Sequence, residues 1–379
     1  MTPLLELDPP QPTFAVRPAT PCLLMRLDLV EEAWRRFERA FPHAGIHYAV
    51  KANPAPEIIA KLAALRAKFD VASPAEVDLC LAAGASPGDL SYGNTVKRSA
   101  DIAHAWRCGV RLFVFDCEEE LRKIAAHAPG SRVSCRLAVG SAGSSWPLAR
   151  KFGCSPAAAE AMLAEAVELG LLPWGVAFHV GSQQRDPSQW EAPIAQTAAL
   201  FHRMRARGVH LAMINLGGGF PARYREPAPD LDVYGARIRG ALDRHMSPFA
   251  PHVMLEPGRG LVADAGVLVT EVVLVSRRDG GPRWVYVDVG KFGGLAETMD
   301  ECIQYRIRAA GFEHAPAGPA ILAGPTCDSA DILYEKTPYE LPLSLREGDR
   351  LEVLSAGAYT ASYASVGFNG FAPLPTYFE

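Results

Sequence analysis

Hydrophobic and polar positions alternate along this chain on two length scales. Short, nearly continuous apolar runs fall at residues 46–50, 69–71, 90–92, 111–115, 133–139, 174–180, 210–216 and 253–256. Strands buried on both faces of a parallel sheet have this texture. Longer stretches between them place an apolar residue every third or fourth position. In "APEIIAKLAALRAKF", Ile58, Ile59, Leu62 and Leu65 share one helical face. "SPAAAEAMLAEAVELG" offers Ser155 as an N-cap, Pro156 for the first helical position and Gly170 as a stop. A further helical pattern over 29–41 precedes the first apolar run. Eight such units over roughly 230 residues predict a (β/α)8 TIM-type barrel spanning 27–259. After Arg259 the texture changes. "GVLVTEVVLVSRR", "RWVYVDVG" and "DRLEVLSAGAY" are β-rich with turns between them, which predicts an all-β domain over 260–379, with residues 1–26 adding to it.

Composition narrows the partners. Hydrophobic residues make up 49%, charged residues 21%, and the net charge is −4 with both signs interspersed. No basic arm or Arg-rich face is present, so no nucleic-acid partner is expected. A mildly acidic surface suits a cationic small molecule. No apolar segment reaches the length of a membrane span, and "MTPLLELDPPQPTF" lacks a secretion signal's charged start and cleavage site, so no membrane and a cytoplasmic location are expected. The eight cysteines show neither CxxC pairs nor zinc-like spacing, so reduced thiols and no metal are expected.

In a barrel the site lies at the C-terminal ends of the strands. Those ends carry Lys51, Asp70, Asn94, Asp116, Arg136, His179, Gly217–Gly219 and Glu256. Any one of them is also explained as a strand end meeting solvent, but the residue types are complementary. The glycines of "INLGGGFP" let backbone N–H groups approach a phosphate, although a tight strand-to-loop turn needs the same residues. "FHVGS" adds the Ser182 hydroxyl and leaves His179 at the barrel mouth, where a plain structural histidine is the alternative. "EPGRG" supplies Glu256 and Arg259, which could equally form a surface ion pair. Together they describe a receptor for pyridoxal 5'-phosphate (PLP). Its aldehyde wants a lysine amine, its phosphate wants glycine N–H groups, hydroxyls and an arginine, and its ring nitrogen wants a carboxylate.

The motifs "YAVKAN", "FDVAS", "FHVGS", "LGGGFP", "EPGRG", "GPTCDS" and "GAYT", in that order, resemble the fold-type III PLP-dependent ornithine/lysine/diaminopimelate decarboxylases. "GPTCDSADILYE" is similar to the ornithine decarboxylase branch, and "KFGGLAETMDE" to its bacterial members that take ornithine or lysine. The resemblance implies an alanine-racemase-like barrel and β-domain pair. It implies that Lys51 holds the cofactor covalently, that Glu256 pairs with the ring nitrogen and that His179 stacks on the ring. It places Ser182, Gly218, Gly219, Gly258, Arg259 and Tyr359 at the phosphate, with Asp70 and Arg136 supporting the ring and the lysine. Cys327 is implied as the acid that protonates the substrate carbon. Asp328 is implied at the distal ammonium, with Tyr305 and Phe368 also contacting substrate. It further implies a homodimer in which Cys327 and Asp328 serve the partner's site, with Lys151 at the interface.

The reaction implied is decarboxylation of a basic L-amino acid, L-ornithine to putrescine and also L-lysine to cadaverine, within polyamine biosynthesis. Arginine, diaminopimelate or a D-enantiomer are the alternatives. In eukaryotic relatives an aspartate follows the tyrosine of the segment matching "CIQYRI", whereas here Arg306 follows Tyr305, and Phe292 stands where they carry a tyrosine. Glu297, Asp300 and Glu301 are the acidic candidates nearby, and Arg306 could pair with Asp300. A fold-type III racemase would place an arginine where Glu256 stands, and a non-catalytic homologue would lose Lys51 or its ring partners.

Overall fold

The computed structural model describes residues 18–146 and 151–379, and the expectation for residues 1–17 falls outside them. The chain divides into two compact units. One holds Val30–Ala222 and Pro227–Val262; the other holds the described residues before Val30, Arg223–Glu226 and Ala263–Glu379.

The first unit is a closed barrel of eight parallel strands. In chain order they are Ala44–Ala49, Lys68–Val71, Leu90–Tyr92, Leu112–Phe115, Arg132–Arg136, Leu172–Ala177, Met213–Asn215 and His252–Leu255, and the last pairs with the first. Helices follow the expected pattern. Pro56–Ala64 buries Ile58, Ile59 and Leu62. Pro156–Glu168 starts where the Ser155 hydroxyl accepts from Ala158 N, and Gly170 leaves it at φ +72°.

Several strands are shorter than their apolar runs. The run 133–139 ends its strand at Arg136, 174–180 at Ala177, and 210–216 keeps only Met213–Asn215. Leu137, Phe178, Val180 and Leu216 are buried all the same. Their hydrophobicity reflects the packed floor of the barrel mouth, where the backbone has left the ladder. The first strand also stops early. Val50–Ala52 is a 3-10 turn closed by Asn53 N donating to Val50 O at 3.1 Å, and the Tyr48 hydroxyl donates to Asn53 O at 2.9 Å. Lys51 therefore rides on a pinned turn beyond the strand.

A buried ion pair sits on the barrel flank. The Lys97 ammonium, fully buried, lies 3.0 Å from Glu120 Oε1 and donates to Asn94 O and Val114 O, each at 2.7 Å. Burial pulls its pKa down to about 8, with Glu120 opposing.

The second unit is a mixed sheet of eight strands. Its path runs Arg306–Arg308, Arg350–Leu354, Gly266–Arg277, Arg283–Val287, Ala317–Ala323 and Ile332–Pro342. Cys22–Met25 pairs antiparallel with Gly266–Arg277 and parallel with Thr376–Phe378. Alternation of buried and open residues along Arg283–Val287 gives the sheet one packed face. Arg283 is buried there and donates to the carbonyls of Gly318, Leu341 and Pro342 at 2.7–3.0 Å.

Candidate active site

The barrel mouth gathers a lysine, two carboxylates, an imidazole, two guanidiniums and a glycine loop. Lys51 Nζ lies 3.9 Å from Asp70 Oδ2, with the lysine half exposed and the aspartate buried. Asp70 is the penultimate residue of the strand Lys68–Val71 and packs against Gly93, where a Cβ would fall 2.0 Å from its Oδ1. That oxygen is buried and accepts no hydrogen bond from the described residues. Burial pushes the Asp70 carboxyl well above the usual carboxylate range; the Glu256 charge adds to this and Lys51 opposes it.

His179 Nδ1 accepts from Gly181 N at 3.0 Å, so the ring carries any single proton on Nε2. Burial, then the charges of Arg136 and Lys51, hold its pKa well below the ordinary histidine value. The ring is neutral and its tautomer is set. Glu256 follows the last barrel strand. Its Oε1 accepts from Asn215 Nδ2 at 2.6 Å, while Asn215 Oδ1 accepts from Gly217 N at 2.9 Å. Asn215 is 1% exposed, and it joins the carboxylate to the start of the glycine loop.

The loop Gly217–Gly219 leaves no room for side chains. A Cβ on Gly218 would lie 2.5 Å from Glu256 O and 3.2 Å from His179 Nε2, and Gly219 combines φ +101° with a Cβ 2.5 Å from Gly181 O. Polar and aromatic residues brace this loop. Gln184 N donates to Gly219 O at 2.8 Å, Trp190 Nε1 to Leu216 O at 3.1 Å, and the Tyr234 hydroxyl to Gln184 O at 2.8 Å. The Gln183 amide exchanges two hydrogen bonds with the Ala222 backbone at 2.9 and 3.0 Å. Ser182 directly precedes these two braced residues. Its hydroxyl oxygen accepts from Arg259 Nε and Nη2, each at 3.2 Å, and Arg259 is 3% exposed. Gly258 is buried beside it, its carbonyl accepting from Leu261 N at 3.0 Å.

Arg136 closes its strand half-buried, with its guanidinium 5.1 Å from the Phe152 ring centroid. Two other strand-end residues serve the scaffold. Asp116 accepts from Gly153 N at 2.8 Å, and Asn94 donates to Ala72 O at 3.4 Å. Lys151 lies 4.9 Å from the same Phe152 ring.

The remaining sequence-derived residues belong to the second unit. Cys327 is exposed, and its N and Sγ lie 3.4 and 3.6 Å from Asn369 Oδ1. Exposed Asp328 accepts from Ala330 N at 2.8 Å. The loop is organised by buried Asp331, which accepts from Lys291 N, Thr326 N and the Thr326 hydroxyl at 2.7–3.2 Å. The Phe368 and Phe292 rings are 4.5 Å apart and line one cavity with Thr326. Tyr305 is fully buried, 5.2 Å from the Tyr224 ring, with its carbonyl accepting from Tyr339. Tyr359 sits at φ +55°, beside Thr360, whose hydroxyl donates to Ala356 O. Of the acidic candidates, Glu301 accepts from the backbone of Glu335 and Lys336, Asp300 lies 3.9 Å from Lys336, and Glu297 is buried.

Asn215, Gln183, Gln184 and Asp331 were not legible as functional. A polar residue within an apolar strand or loop carries no periodic signal, and only the packing shows what it holds.

The barrel set fits PLP. The glycine cradle excludes any Cβ, the Ser182–Arg259 pair offers hydroxyl and cation beside it, Asn215 holds the Glu256 carboxylate, and Lys51 is the exposed amine. The comparisons agree. A family model described as "Pyridoxal-dependent decarboxylase, pyridoxal binding domain" matches residues 27–263. A lysine/ornithine decarboxylase of Selenomonas ruminantium is 35% identical over 96% of this chain and 91% of its own length. The ornithine decarboxylase of Schizosaccharomyces pombe is 32% identical over 89% and 78%. The structure of a lysine/ornithine decarboxylase from Vibrio vulnificus complexed with putrescine superposes with a TM-score of 0.85 at 32% identity, covering 95% and 94% of the two chains.

Proposed function

Because the chain belongs to the pyridoxal-dependent decarboxylases, we propose that it removes the carboxylate of a basic L-amino acid, L-ornithine first and L-lysine second, releasing putrescine or cadaverine. The observation that carries this reading is the barrel-mouth set of Lys51, His179, the Asn215–Glu256 pair and the Ser182–Arg259 pair. The relatives named for lysine and ornithine supply the substrate class. In the cell this would be a step of polyamine formation in the cytoplasm. Among the described residues no helix is long and apolar enough to cross a membrane.

When bound, PLP supplies an aldehyde that binds amines and a protonated ring that draws electron density from the substrate carbon. Every other part is played by this chain. Lys51 would hold the cofactor through its side-chain amine. The Glu256 carboxylate, aimed by Asn215, keeps the ring nitrogen protonated. His179, held neutral, offers a flat face without adding a competing positive charge. The amides of Gly218 and Gly219, with Gly258, Ser182, Arg259 and Tyr359, take the phosphate. Asp70 and Arg136 would support the ring and the Lys51 side of the site.

Cys327 donates the proton to the substrate carbon once carbon dioxide has left, and Asp328 receives the distal ammonium. Tyr305 and Phe368 shape the substrate end. Both Cys327 and Asp328 stand exposed on a loop pinned by Asp331, and in this reading they act on the site of a second copy, making the enzyme a homodimer with shared sites. The barrel is the cofactor domain, and the β unit is the one that completes the partner's site.

A substrate panel tests the reading. Holoenzyme is offered ornithine, lysine, arginine and diaminopimelate in both enantiomers, with carbon dioxide release measured. Fastest release from L-ornithine, followed by L-lysine, is expected. Release from none of them, or faster release from arginine or diaminopimelate, overturns the assignment.

A further inference from the structure

Three side chains on helices of the barrel unit, none of them among the site residues above, converge on one point. Asp78 lies on the helix Pro74–Ala82, His104 on the helix Ser99–Arg107, and Cys108 caps that second helix. Their donor atoms all fall within 4.8 Å of one another. His104 Nε2 is 2.7 Å from Asp78 Oδ1 and 3.6 Å from Cys108 Sγ. We propose that Asp78, His104 and Cys108 form a divalent-metal site of zinc type, with water as the fourth ligand.

The distances carry the assignment. Zinc binds imidazole nitrogen at about 2.0–2.1 Å, thiolate at about 2.3 Å and carboxylate at about 2.0–2.2 Å. At tetrahedral angles those bonds set nitrogen and sulfur about 3.6 Å apart, and nitrogen and oxygen about 3.4 Å apart. The nitrogen–sulfur separation is already in place. The nitrogen–oxygen separation needs to open by less than an ångström, and the Asp78 side chain, 57% exposed, is free to swing that far. The spacing of His104 and Cys108, four residues apart, puts both on one side of their helix at its C-terminal end.

A plain histidine–aspartate ion pair leaves part of this unexplained. Exposed pairs contribute under about 1 kcal/mol, and one ring nitrogen can satisfy only one of its two neighbours. With Nε2 protonated the carboxylate is served and the sulfur is not; with Nε2 bare the thiol donates and the carboxylate is repelled by the lone pair. A cation at the shared focus serves all three. Binding takes the Nε2 lone pair with the ring proton on Nδ1, and it forms the metal–sulfur bond as the Cys108 thiol releases its proton to solvent. The site would tie together the two helices that flank the third barrel strand, away from the barrel mouth.

Cobalt(II) is the probe, because its visible d–d bands report tetrahedral coordination at wavelengths where a pyridoxal chromophore absorbs little. Metal-stripped holoenzyme is titrated with cobalt, then zinc is added in competition. About one equivalent of intensely coloured cobalt per chain, displaced by zinc, is expected. Cys108→Ser should abolish the colour. His104→Gln and Asp78→Asn should each weaken binding by at least about tenfold, while all three variants keep their cofactor absorbance. No tetrahedral cobalt spectrum in the unmodified protein, or an undiminished one in Cys108→Ser, overturns the site.

Discussion

Replacing Asn215 probes the arrangement that gives Glu256 its role. The side chain donates to Glu256 Oε1 at 2.6 Å, accepts from Gly217 N at 2.9 Å and is 1% exposed. Asn215→Asp keeps the shape and the acceptor for Gly217 but turns the donor into a second carboxylate. Two carboxylate oxygens 2.6 Å apart repel by about 6 kcal/mol at an effective dielectric of roughly 20. The pair must separate or share a proton, and either change would remove the carboxylate proposed to meet the ring nitrogen. If half of that energy is lost from the reaction barrier, about 3 kcal/mol, the rate falls roughly 100-fold or more. Asn215→Ala fails differently. It removes a charge-assisted bond of about 1.5–3 kcal/mol and strands the Gly217 N–H at about 1–3 kcal/mol, so it loses stability as well as activity. Steady-state decarboxylation and urea denaturation of both variants separate the two effects. An Asp variant with kcat within threefold of the unmodified enzyme refutes the reasoning.

Three further outcomes follow from the geometry. Burial, with Lys68 adding to it, lowers the pKa of His47 to about 3, and His179 is also held well below its ordinary value. Both stay neutral in the native state while the unfolded chain gains protons near pH 6.5, so stability present above that pH is lost as pH falls, by about 2 kcal/mol per histidine between pH 7 and 5. Asp70, raised instead, acts in the opposite direction, so the test is a difference: His47→Gln should reduce the acid loss in urea denaturation by about 2 kcal/mol, and an unchanged loss counts against it. Lys97→Met leaves buried Glu120 with Lys123, at 2.5 Å, as its cation partner among the described residues, and should cost about 3 kcal/mol; adding Glu120→Leu should recover most of that in thermal unfolding. Gly218→Ala drives a Cβ to 2.5 Å from the backbone oxygen of Glu256, which must shift, so urea denaturation should show a loss of stability and equilibrium dialysis should show cofactor affinity falling at least tenfold, roughly 1.4 kcal/mol.

The barrel was legible because its strands are buried on both faces, so eight apolar runs stand out between amphipathic helices. The candidate site was legible where a residue type is costly in its position: a lysine beyond a buried strand, three successive glycines, a carboxylate and an arginine around "EPG". Strand ends were less so. The runs at 133–139 and 174–180 continue past their strands because the floor of the mouth is as dry as the ladder itself. Asp116 shared the strand-end position of the site residues, yet its carboxylate holds Gly153 N. Asn215 lay inside an apolar run and Lys97 was one more charge on the chain, until the fold brought Glu256 to the first and Glu120 to the second. The Asp78, His104 and Cys108 convergence spans two helices, and no spacing rule on one chain segment captures it.

The account rests on Lys51 as the residue that binds the cofactor. Holoenzyme reduced with borohydride and digested should yield one phosphopyridoxyl-bearing peptide, the one that contains Lys51, and Lys51→Ala should yield none. A label on Lys97, Lys151 or any other lysine, or no label on the unmodified enzyme, would contradict it.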